Sequence, residues 1–422
     1  MVVRAPVRVV VIVFALIASV GARAAVLEFA DPNTVGMSAE RLEKLSVELG
    51  HYVDDGALAG AVLLVARRGK TVFHRAFGAR DLEAKAAMRE DTIFRIASQT
   101  KAIVSVAAMM LQEDGALLIS DPVGKYLPEF MATTVAVSRG DGGYDIVDAE
   151  RPVTIRDLLT HTSGFGYGTG LAQDRWAEAG IQGWYFADRD EPIAETVRRM
   201  ADLPADAQPG EAFVYGYNTD ILGALIERVS GQPLDRFLSE RILEPLGMED
   251  THFYLPAAKR ERLATVYSAA PGGIVRAPDE GAAAQGAYVN GPRNSFSGGA
   301  GLLSTTADYA RCLQMMLNGG ELDGRRIVSR KTVELMTVDH LGDVPFSTGE
   351  GFGLGFYVVE DLGARGAPGS VGEYGWGGAY HSTYWVDPAE DLVVVYMTQL
   401  IPADGLDDPD KVRALIYQAI VD

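Results

Sequence analysis

The motif of this chain best suited to covalent chemistry is Ser98-Gln-Thr-Lys101, in which a serine and a lysine lie three residues apart. The surrounding sequence predicts a long helix that begins near Ser98 and runs to Glu113, so both side chains lie on one face of its first turn. A lysine within hydrogen-bond reach can take the proton of the serine or stabilise the alkoxide, and the helix N-terminus adds positive potential. The motif therefore predicts a nucleophilic Ser98 activated by Lys101, with the Ser98 N–H as one half of an oxyanion hole.

A structural explanation of the same spacing is a serine that caps a helix, followed by a lysine that points into solvent. Residues 102–111 weigh against it, because they are apolar on every side and predict a buried helix. Lysine is also scarce in this chain. A lysine at the head of a buried helix therefore indicates a role beyond solubility.

Two further segments contain groups that can assist a nucleophilic serine. Tyr215 precedes a predicted buried helix, and a phenol there can relay protons when nearby positive charge lowers its pKa. Residues 374–379, Tyr-Gly-Trp-Gly-Gly-Ala, precede a predicted strand, where glycines permit close backbone approach and a strand-edge N–H can complete an oxyanion hole. Taken singly, each segment has a structural alternative, a packing tyrosine in the first case and a glycine-rich turn in the second.

Together and in this order, the three motifs resemble the serine β-lactamase and penicillin-binding protein superfamily. The resemblance is closest to the class C β-lactamase-like branch that includes the family VIII carboxylesterases, and it covers residues 37–420. Four further phrases support it: Leu158-Leu-Thr-His161-Thr-Ser-Gly164, Gly298-Gly-Ala-Gly-Leu-Leu-Ser304, Asn318-Gly-Gly-Glu-Leu-Asp-Gly324 and Gly351-Phe-Gly-Leu-Gly355.

The resemblance implies a set of roles for these residues. Ser98 matches the nucleophile of the family, Lys101 its lysine partner and Tyr215 the tyrosine of the second motif. Trp376-Gly377-Gly378 stands where lactamases and peptidases have Lys-Thr-Gly, and the N–H of Ala379 would complete the oxyanion hole with that of Ser98. The implied mechanism is the formation of an acyl-enzyme on Ser98, which water then hydrolyses.

Departures from the family pattern bear on the substrate. Penicillin-recognising relatives have an asparagine two residues after the tyrosine and a lysine in the third motif, where this chain has Tyr217 and Trp376. Losing a cation and gaining an aromatic surface favours a neutral, partly apolar acyl substrate. Asn218 is one position away, so a shifted alignment would restore an amide-binding role. His381 either contacts the substrate or makes a local hydrogen bond.

The expected substrate-binding residues are therefore Tyr217, Trp376, Gly377, Gly378 and His381. Aromatic side chains between Phe165 and Phe186 either line the pocket or belong to the core; they are Tyr167, Trp176, Trp184, Tyr185 and Phe186.

The leading functional hypothesis is a serine hydrolase acting as a carboxylesterase on short-chain or small esters. Its alternatives are a β-lactamase or D-amino-acid peptidase, whose substrate is an amide, and an inactive binding protein on the same scaffold. No Gly-x-Ser-x-Gly motif occurs, the six histidines lack metal-ligand spacing, and no phosphate-binding loop is present. We therefore expect no cofactor and no metal, and a small-molecule substrate as the partner.

The elements that must position these residues indicate an α/β (α+β) fold with two lobes. A helix over 38–53 and a hairpin over 61–76 begin the chain, and β-rich runs with a closing helix over 412–420 end it. We expect the two ends to form one antiparallel sheet flanked by N- and C-terminal helices, with the active site between this sheet and a mostly helical lobe. The predicted bounds are 25–422 for the hydrolase domain, about 37–93 and 325–422 for the sheet lobe, and about 94–324 for the helical lobe.

Composition restricts the partners. Hydrophobic residues make up 48% of the chain and charged residues 23%, which is typical of a soluble globular protein. The net charge of −19 disfavours binding to nucleic acid or to anionic lipid. Cys312 is the only cysteine, so no internal disulfide can form, and its apolar helical surroundings predict a buried thiol. The oligomeric state stays open.

The N-terminus has the pattern of a secretory signal. Arg4 and Arg8 precede the apolar run 9–20, and Ala22-Arg-Ala24 follows as a cleavage site. We expect a signal peptide over 1–24 and an exported protein, periplasmic or secreted, with no membrane span after cleavage. The alternative is a retained anchor, although the run is shorter than the roughly 20 residues that a bilayer span needs.

Overall fold

The computed structural model describes residues 27–140, 142–278, 286–403 and 405–422. The predicted signal peptide and cleavage site lie outside the described residues, so export and the division at residue 24 stay predictions. Within the described residues, no helix is both long enough and apolar enough to cross a bilayer.

The helices of the described chain differ widely in length. The α-helices are α1 Ala39–Asp54, α2 Thr100–Glu113, α3 Ile155–Leu159, α4 Gln173–Glu178, α5 Ile193–Met200, α6 Asn218–Ser230, α7 Leu234–Leu238, α8 Glu244–Leu246, α9 Ala287–Asn290, α10 Thr306–Leu317, α11 Arg330–Met336, α12 Leu362–Arg365 and α13 Asp408–Tyr417. Short 3-10 turns are also present, and the turn Ala97–Gln99 matters for the site because it leads into α2.

The strands form one large sheet and four two-stranded ribbons. They are β1 Gly60–Arg67, β2 Lys70–Asp81, β3 Ala86–Ala87, β4 Phe94–Arg95, β5 Thr134–Ser138, β6 Tyr144–Asp148, β7 Tyr267–Ala270, β8 Gly273–Arg276, β9 Leu303–Ser304, β10 Glu321–Leu322, β11 Arg325–Arg326, β12 Glu350–Phe352, β13 Tyr357–Val359, β14 Tyr374–Gly378, β15 Ser382–Asp387 and β16 Leu392–Met397.

The large sheet joins the two ends of the chain. Its order is β12-β13-β14-β15-β16-β1-β2-β3, and every neighbouring pair is antiparallel. β1 pairs with β16 at the centre, where Leu64 lies opposite Val395. Both strands are buried along their whole length, which explains their continuous apolar sequences. The expectation that the two ends build one antiparallel sheet is confirmed.

The two faces of this sheet belong to different cores. Alternate residues of β1 and β16 pack under α1 and α13, including Leu63 and Val394. The residues between them, including Leu64 and Val395, face α10 and the helical region. Cys312 lies buried in α10, as the sequence predicted, and burial raises the pKa of its thiol to about 12. The sheet is therefore covered on both sides, and the site lies where its inner face meets α2 and α6.

Three local expectations need correction. The β-rich sequence of residues 353–359 predicts one strand, but Gly355 has a φ of 100° and a turn separates β12 from β13. Residues 374–378 form β14 itself rather than a turn before a strand. The Gly-, Ala- and Pro-rich sequence of residues 269–292 predicts a surface loop, but its first residues belong to the hairpin formed by β7 and β8. In each case a short, glycine-containing sequence gave too weak a local pattern to identify the strand ends.

Candidate active site

A sharp turn presents Ser98 between β4 and α2. Ala97, the residue before it, has a φ of 40°, a left-handed conformation that is unusual for a side chain with a Cβ. Ala97 and Gln99 are buried, whereas Ser98 is half-buried. The turn therefore directs the hydroxyl of Ser98 out of the core, and the strained backbone before it is of the kind that recurs at functional sites.

Lys101 lies behind Ser98 with only 2% of its surface exposed. Its Nζ donates to Ser98 Oγ at 3.1 Å, to the hydroxyl of Tyr167 at 3.3 Å and to the carbonyl oxygen of Gly299 at 2.7 Å. It also lies over the ring of Tyr215, 4.6 Å from the centroid. All three hydrogen-bond acceptors are uncharged, so the ammonium is buried without a carboxylate in direct contact.

The surroundings of Lys101 favour its charged form. Burial alone lowers the pKa of this ammonium, but Tyr167, Tyr215 and the carboxylate of Asp220 outweigh it, and the pKa lies above its ordinary value. Burial also raises the pKa of the Tyr167 phenol to about 12, although Lys101 opposes this shift. Lys101 is therefore a cation at neutral pH, and it stabilises negative charge that forms on the oxygens beside it.

Tyr215 approaches Lys101 from the segment before α6. Gly216 allows this, because a Cβ at that position would lie 2.3 Å from the carbonyl oxygen of Phe165. The rings of Tyr215 and Tyr167 meet edge to face with centroids 5.8 Å apart. The hydroxyl of Tyr215 accepts a hydrogen bond from Trp376 Nε1 at 3.0 Å. The hydroxyl of Tyr167 is therefore hydrogen-bonded to Lys101, and the hydroxyl of Tyr215 is hydrogen-bonded to Trp376 of the third motif.

The end of β14 lies directly against the Ser98 turn. A Cβ at Gly378 would lie 2.6 Å from the carbonyl oxygen of Ile96, so only glycine permits this approach. Gly377 is half-buried in the same strand, and Ala379 follows it as an exposed residue. This packing brings the backbone after β14 to the nucleophile turn, where an N–H of Ala379 can face a reacting carbonyl.

Asp220, in α6, holds in place Gly299, the residue whose carbonyl oxygen accepts a hydrogen bond from Lys101. Its Oδ1 accepts from Gly299 N at 3.1 Å and from Ser297 Oγ at 2.6 Å, while the carbonyl of Gly299 accepts from Lys101. Asp220 is fully buried, and burial raises the pKa of its carboxyl despite these donors and Lys101. One glycine residue, Gly299, therefore separates a buried carboxylate from the buried ammonium.

The structure places Tyr217, the predicted substrate contact, and Asn218, its alternative, away from the cleft. Tyr217 is fully buried, packs against Trp176, and donates its hydroxyl to Gly183 O at 2.8 Å. Asn218 is also fully buried. Its side-chain amide donates to backbone carbonyl oxygens and accepts a hydrogen bond from the hydroxyl of Ser163. The first turn of α6 points both side chains into the helical core, so neither faces the cleft.

His381 makes a local hydrogen bond, one of the two roles that its position allowed. Its Nε2 lies 2.5 Å from Oδ1 of Asp408, the first residue of α13, and its φ is 63°. Asp408 is fully buried and also accepts from the hydroxyl of Tyr396. His381 therefore ties the turn after Ala379 to the C-terminal helix, and its contact with substrate stays a prediction.

The aromatic side chains between Phe165 and Phe186 divide between core and cleft. Trp176 and Phe186 are buried in the core, whereas Tyr167 contacts Lys101. Trp184 is half-buried against Tyr380, next to Ala379, and Tyr185 packs on Tyr288. Sequence reasoning did not single out Tyr167, Asp220 or Gly299 as neighbours of Lys101. Only their place in or beside phrases typical of the family could have indicated them.

Comparisons with known proteins identify the family of this chain. The sequence profile of the Beta-lactamase family matches residues 48–418. Esterase EstB of Burkholderia gladioli is 35% identical over 388 residues, which cover 87% of this chain and 93% of that protein. A D-alanyl-D-alanine carboxypeptidase-like protein of Escherichia coli strain K12 is 26% identical over 404 residues, 92% of this chain and 88% of that protein.

Solved structures show the same fold. The structure described as EstCE1, a hydrolase with promiscuous acyltransferase activity, has a TM-score of 0.77 and 28% identity to this chain. The match covers 90% of this chain and 99% of that one. The similarity therefore extends over both the sheet and the helical region.

Proposed function

The chain belongs to the β-lactamase family and is a serine hydrolase, and from that premise we propose that it is a carboxylesterase acting through an acyl-enzyme on Ser98. The observation that supports this most is the contact of Ser98 Oγ with Lys101 Nζ at 3.1 Å, because that ammonium has only uncharged hydrogen-bond acceptors. A cation held in this way can stabilise the negative charge that a serine acquires as it attacks a carbonyl.

The acylation step starts from the form of the Lys101–Tyr215 pair that carries one proton fewer than an ammonium and a phenol together. Ser98 Oγ bonds to the ester carbonyl carbon, and its proton passes to the vacant position on Tyr215. The carbonyl oxygen becomes an oxyanion, which the N–H groups of Ser98 and Ala379 bind. The bond to the alcohol oxygen then breaks, and the alcohol leaves with that same proton from Tyr215. In deacylation, water adds to the acyl carbon, its proton returns to Ser98, and the carboxylic acid is released.

The third motif supports an ester as the substrate class. Trp376 stands where the resembling lactamases and peptidases have a lysine that binds a carboxylate, and it is half-buried with its Nε1 bonded to Tyr215. A neutral aromatic ring there offers no counter-charge for an acidic substrate. Short-chain or small neutral esters therefore suit the site better than the acidic amides that penicillin-binding relatives take.

The test is hydrolysis of p-nitrophenyl butyrate by the purified protein and by Ser98→Ala. We expect turnover in the wild type and a loss of about a thousandfold or more in kcat/KM in the variant, because the nucleophile is removed. A fluorophosphonate should add to the wild type as one covalent mass increase and should not add to Ser98→Ala.

Ser105→Ala is the matched control, since Ser105 lies buried two turns further along α2. Its activity should stay within twofold of the wild type. Turnover of a chromogenic cephalosporin with no ester turnover would replace the esterase proposal with a β-lactamase or peptidase. Absence of both turnover and labelling would indicate a binding protein on this scaffold.

A further inference from the structure

Four aromatic rings form a closed circuit beside the candidate active site. Tyr215 contacts Trp376 at 5.5 Å between centroids, Trp376 contacts Phe346 at 6.4 Å, Phe346 contacts Phe213 at 4.7 Å, and Phe213 contacts Tyr215 at 6.4 Å. The buried ring of Phe352 touches Phe213, Phe346 and Trp376 from beneath. We call the four upper rings, Phe213, Tyr215, Phe346 and Trp376, the aromatic quartet.

The quartet comes from three distant parts of the chain. Phe213 and Tyr215 precede α6, Phe346 lies in the loop between α11 and β12, and Trp376 lies in β14. Each of these four side chains is half-buried, whereas Phe352 is 1% exposed. Core packing alone would bury all five rings. A continuous, partly open aromatic surface over a closed floor is instead typical of a ligand site.

The position of the quartet relative to the reacting atoms identifies the part of the substrate that it faces. Trp376 and Gly378 lie on the same face of β14, because side chains alternate along a strand, and Gly378 packs on the Ser98 turn. The hydroxyl of Tyr215, bonded to Trp376 Nε1, belongs to the quartet itself. In the proposed mechanism this hydroxyl protonates the leaving alcohol, so the alcohol oxygen lies beside it.

The oxyanion hole has different neighbours at its other end, beyond Ala379. Trp184 contacts Tyr380, the residue after Ala379, with ring centroids 5.7 Å apart. This contact lies on the Ala379 side of Gly378, and the quartet lies on the Trp376 side. With the carbonyl oxygen between the Ser98 and Ala379 N–H groups, the proposed protonation by Tyr215 requires the alcohol oxygen to lie on the side of Tyr215 and therefore of the quartet.

We propose that the aromatic quartet binds the alcohol portion of the ester and that the preferred substrates are esters of planar, apolar alcohols such as benzylic ones. This inference rests on the proposed esterase function and adds the substrate class to it. Phe346 is the residue that determines the preference, because it extends the surface of Trp376 and takes no part in proton transfer.

The experiment compares kcat/KM for three esters in the wild type and in Phe346→Ala. Benzyl butyrate and ethyl butyrate share the acyl group and have alcohols of similar leaving ability, and ethyl phenylacetate moves the ring to the acyl side. We expect the wild type to favour benzyl butyrate over ethyl butyrate by about tenfold, the discrimination that an apolar pocket gives. Phe346→Ala should lose about tenfold on benzyl butyrate and less than twofold on the two ethyl esters.

Two further variants separate binding from folding. Phe346→Tyr keeps the ring and should keep the benzyl preference. Phe77→Ala removes another half-buried phenyl ring, packed on the far face of the sheet, and should leave all three rates within twofold.

Equal losses on all three esters would overturn the inference and show that Phe346 only supports the fold. A loss confined to ethyl phenylacetate would overturn it by assigning the quartet to the acyl group. Absence of any ester turnover in the wild type would overturn the esterase proposal as well, whereas Ser98-dependent turnover without an alcohol preference would overturn this inference alone.

Discussion

Two of the places where the chain buries cationic side chains surround them differently. At the active site, Lys101 has three uncharged hydrogen-bond acceptors. At the outer end of the sheet, Arg365 and Arg413 both donate to the carboxylate of Glu373, which is fully buried. The charge of Lys101 therefore has no carboxylate in direct contact, whereas the charges of Arg365 and Arg413 are paired directly with a carboxylate.

The Glu373 cluster joins three parts of the sheet lobe. Glu373 precedes β14, Arg365 ends α12 and Arg413 belongs to α13. The carboxylate also accepts from the hydroxyls of Tyr357 and Tyr417. Burial alone raises the pKa of Glu373, but Arg413 and Arg365 outweigh it and hold the pKa below its ordinary 4.5. Every charge in this cluster has a partner, so it holds α13 against the sheet.

The difference shows how one fold separates stability from chemistry. A buried charge with full pairing is costly to break and offers nothing to a substrate. A buried charge with uncharged partners contributes less to stability. It remains available to stabilise the opposite charge that develops on the reacting atoms. Activity and stability should therefore respond to mutations in opposite ways at the two clusters.

The largest effect on activity is expected from Lys101→Met, which removes the cation and keeps an apolar side chain of similar length. We expect kcat/KM for p-nitrophenyl butyrate to fall by about a thousandfold or more, as for the loss of a member of a catalytic unit. The free energy of unfolding should fall by less than about 1 kcal/mol, because removing an unpaired buried charge offsets the lost hydrogen bonds. Urea denaturation beside the rate assay measures both. A stability loss of about 3 kcal/mol would contradict the contrast with Glu373.

Glu373→Gln should show the reverse pattern. The glutamine leaves Arg413 buried without a counter-charge, whereas Arg365 keeps the carboxylate of Glu350 at 2.9 Å, so we expect a loss of about 3 kcal/mol in the free energy of unfolding. At 25 °C, kcat/KM should stay within threefold of the wild type, because the cluster does not touch the reacting atoms. Glu334→Gln is the control, since the exposed pair of Glu334 with Arg330 should contribute less than about 0.5 kcal/mol.

The pH dependence of stability gives a second measurement on Glu373. Its folded-state pKa lies below the ordinary 4.5, so its contribution is fully present above that pH and is lost as the pH falls through the folded pKa. The difference in unfolding free energy between wild type and Glu373→Gln should therefore be largest near neutral pH and should narrow below pH 4.5. A difference that did not change with pH would mean that shape, rather than charge, is lost.

Much of the fold follows from sequence, because long apolar runs and local turns determine β1, β2, β16, α1 and α2. The proximity of Ser98 and Lys101 follows in the same way from their spacing on one helix turn. The rest of the site depends on contacts between distant segments. The sequence predicts Tyr215 as the tyrosine of the second motif, but its approach to Lys101 depends on the packing of Gly216 on Phe165, which no local pattern indicates. Phe346 lies in a loop without any periodic pattern, so sequence gave no reason to place it beside Trp376.

Asp220→Asn is expected to have the smallest effect. It tests whether the charge of Asp220 stabilises the Lys101 ammonium without direct contact. The groups that face Lys101 are Tyr167, Tyr215, Asp220 and His161, and the pKa of His161 lies well below its ordinary value because of burial and of Lys101. The asparagine oxygen can still accept from Gly299 N and Ser297 Oγ, so the substitution removes charge and keeps the geometry.

Without that carboxylate the Lys101 ammonium is less stable, so its pKa falls. The limb of the pH–rate profile that Lys101 governs should move to lower pH, and kcat/KM at the plateau should stay within about fivefold. Asp206→Asn is the matched control, because Asp206 is a partly buried carboxylate that is not among the main influences on the pKa of Lys101, and it should leave the profile in place. If both variants lowered activity without moving the limb, Asp220 would only hold Gly299 in position; a shift confined to Asp220→Asn would mean that its charge acts on Lys101 through the intervening peptide.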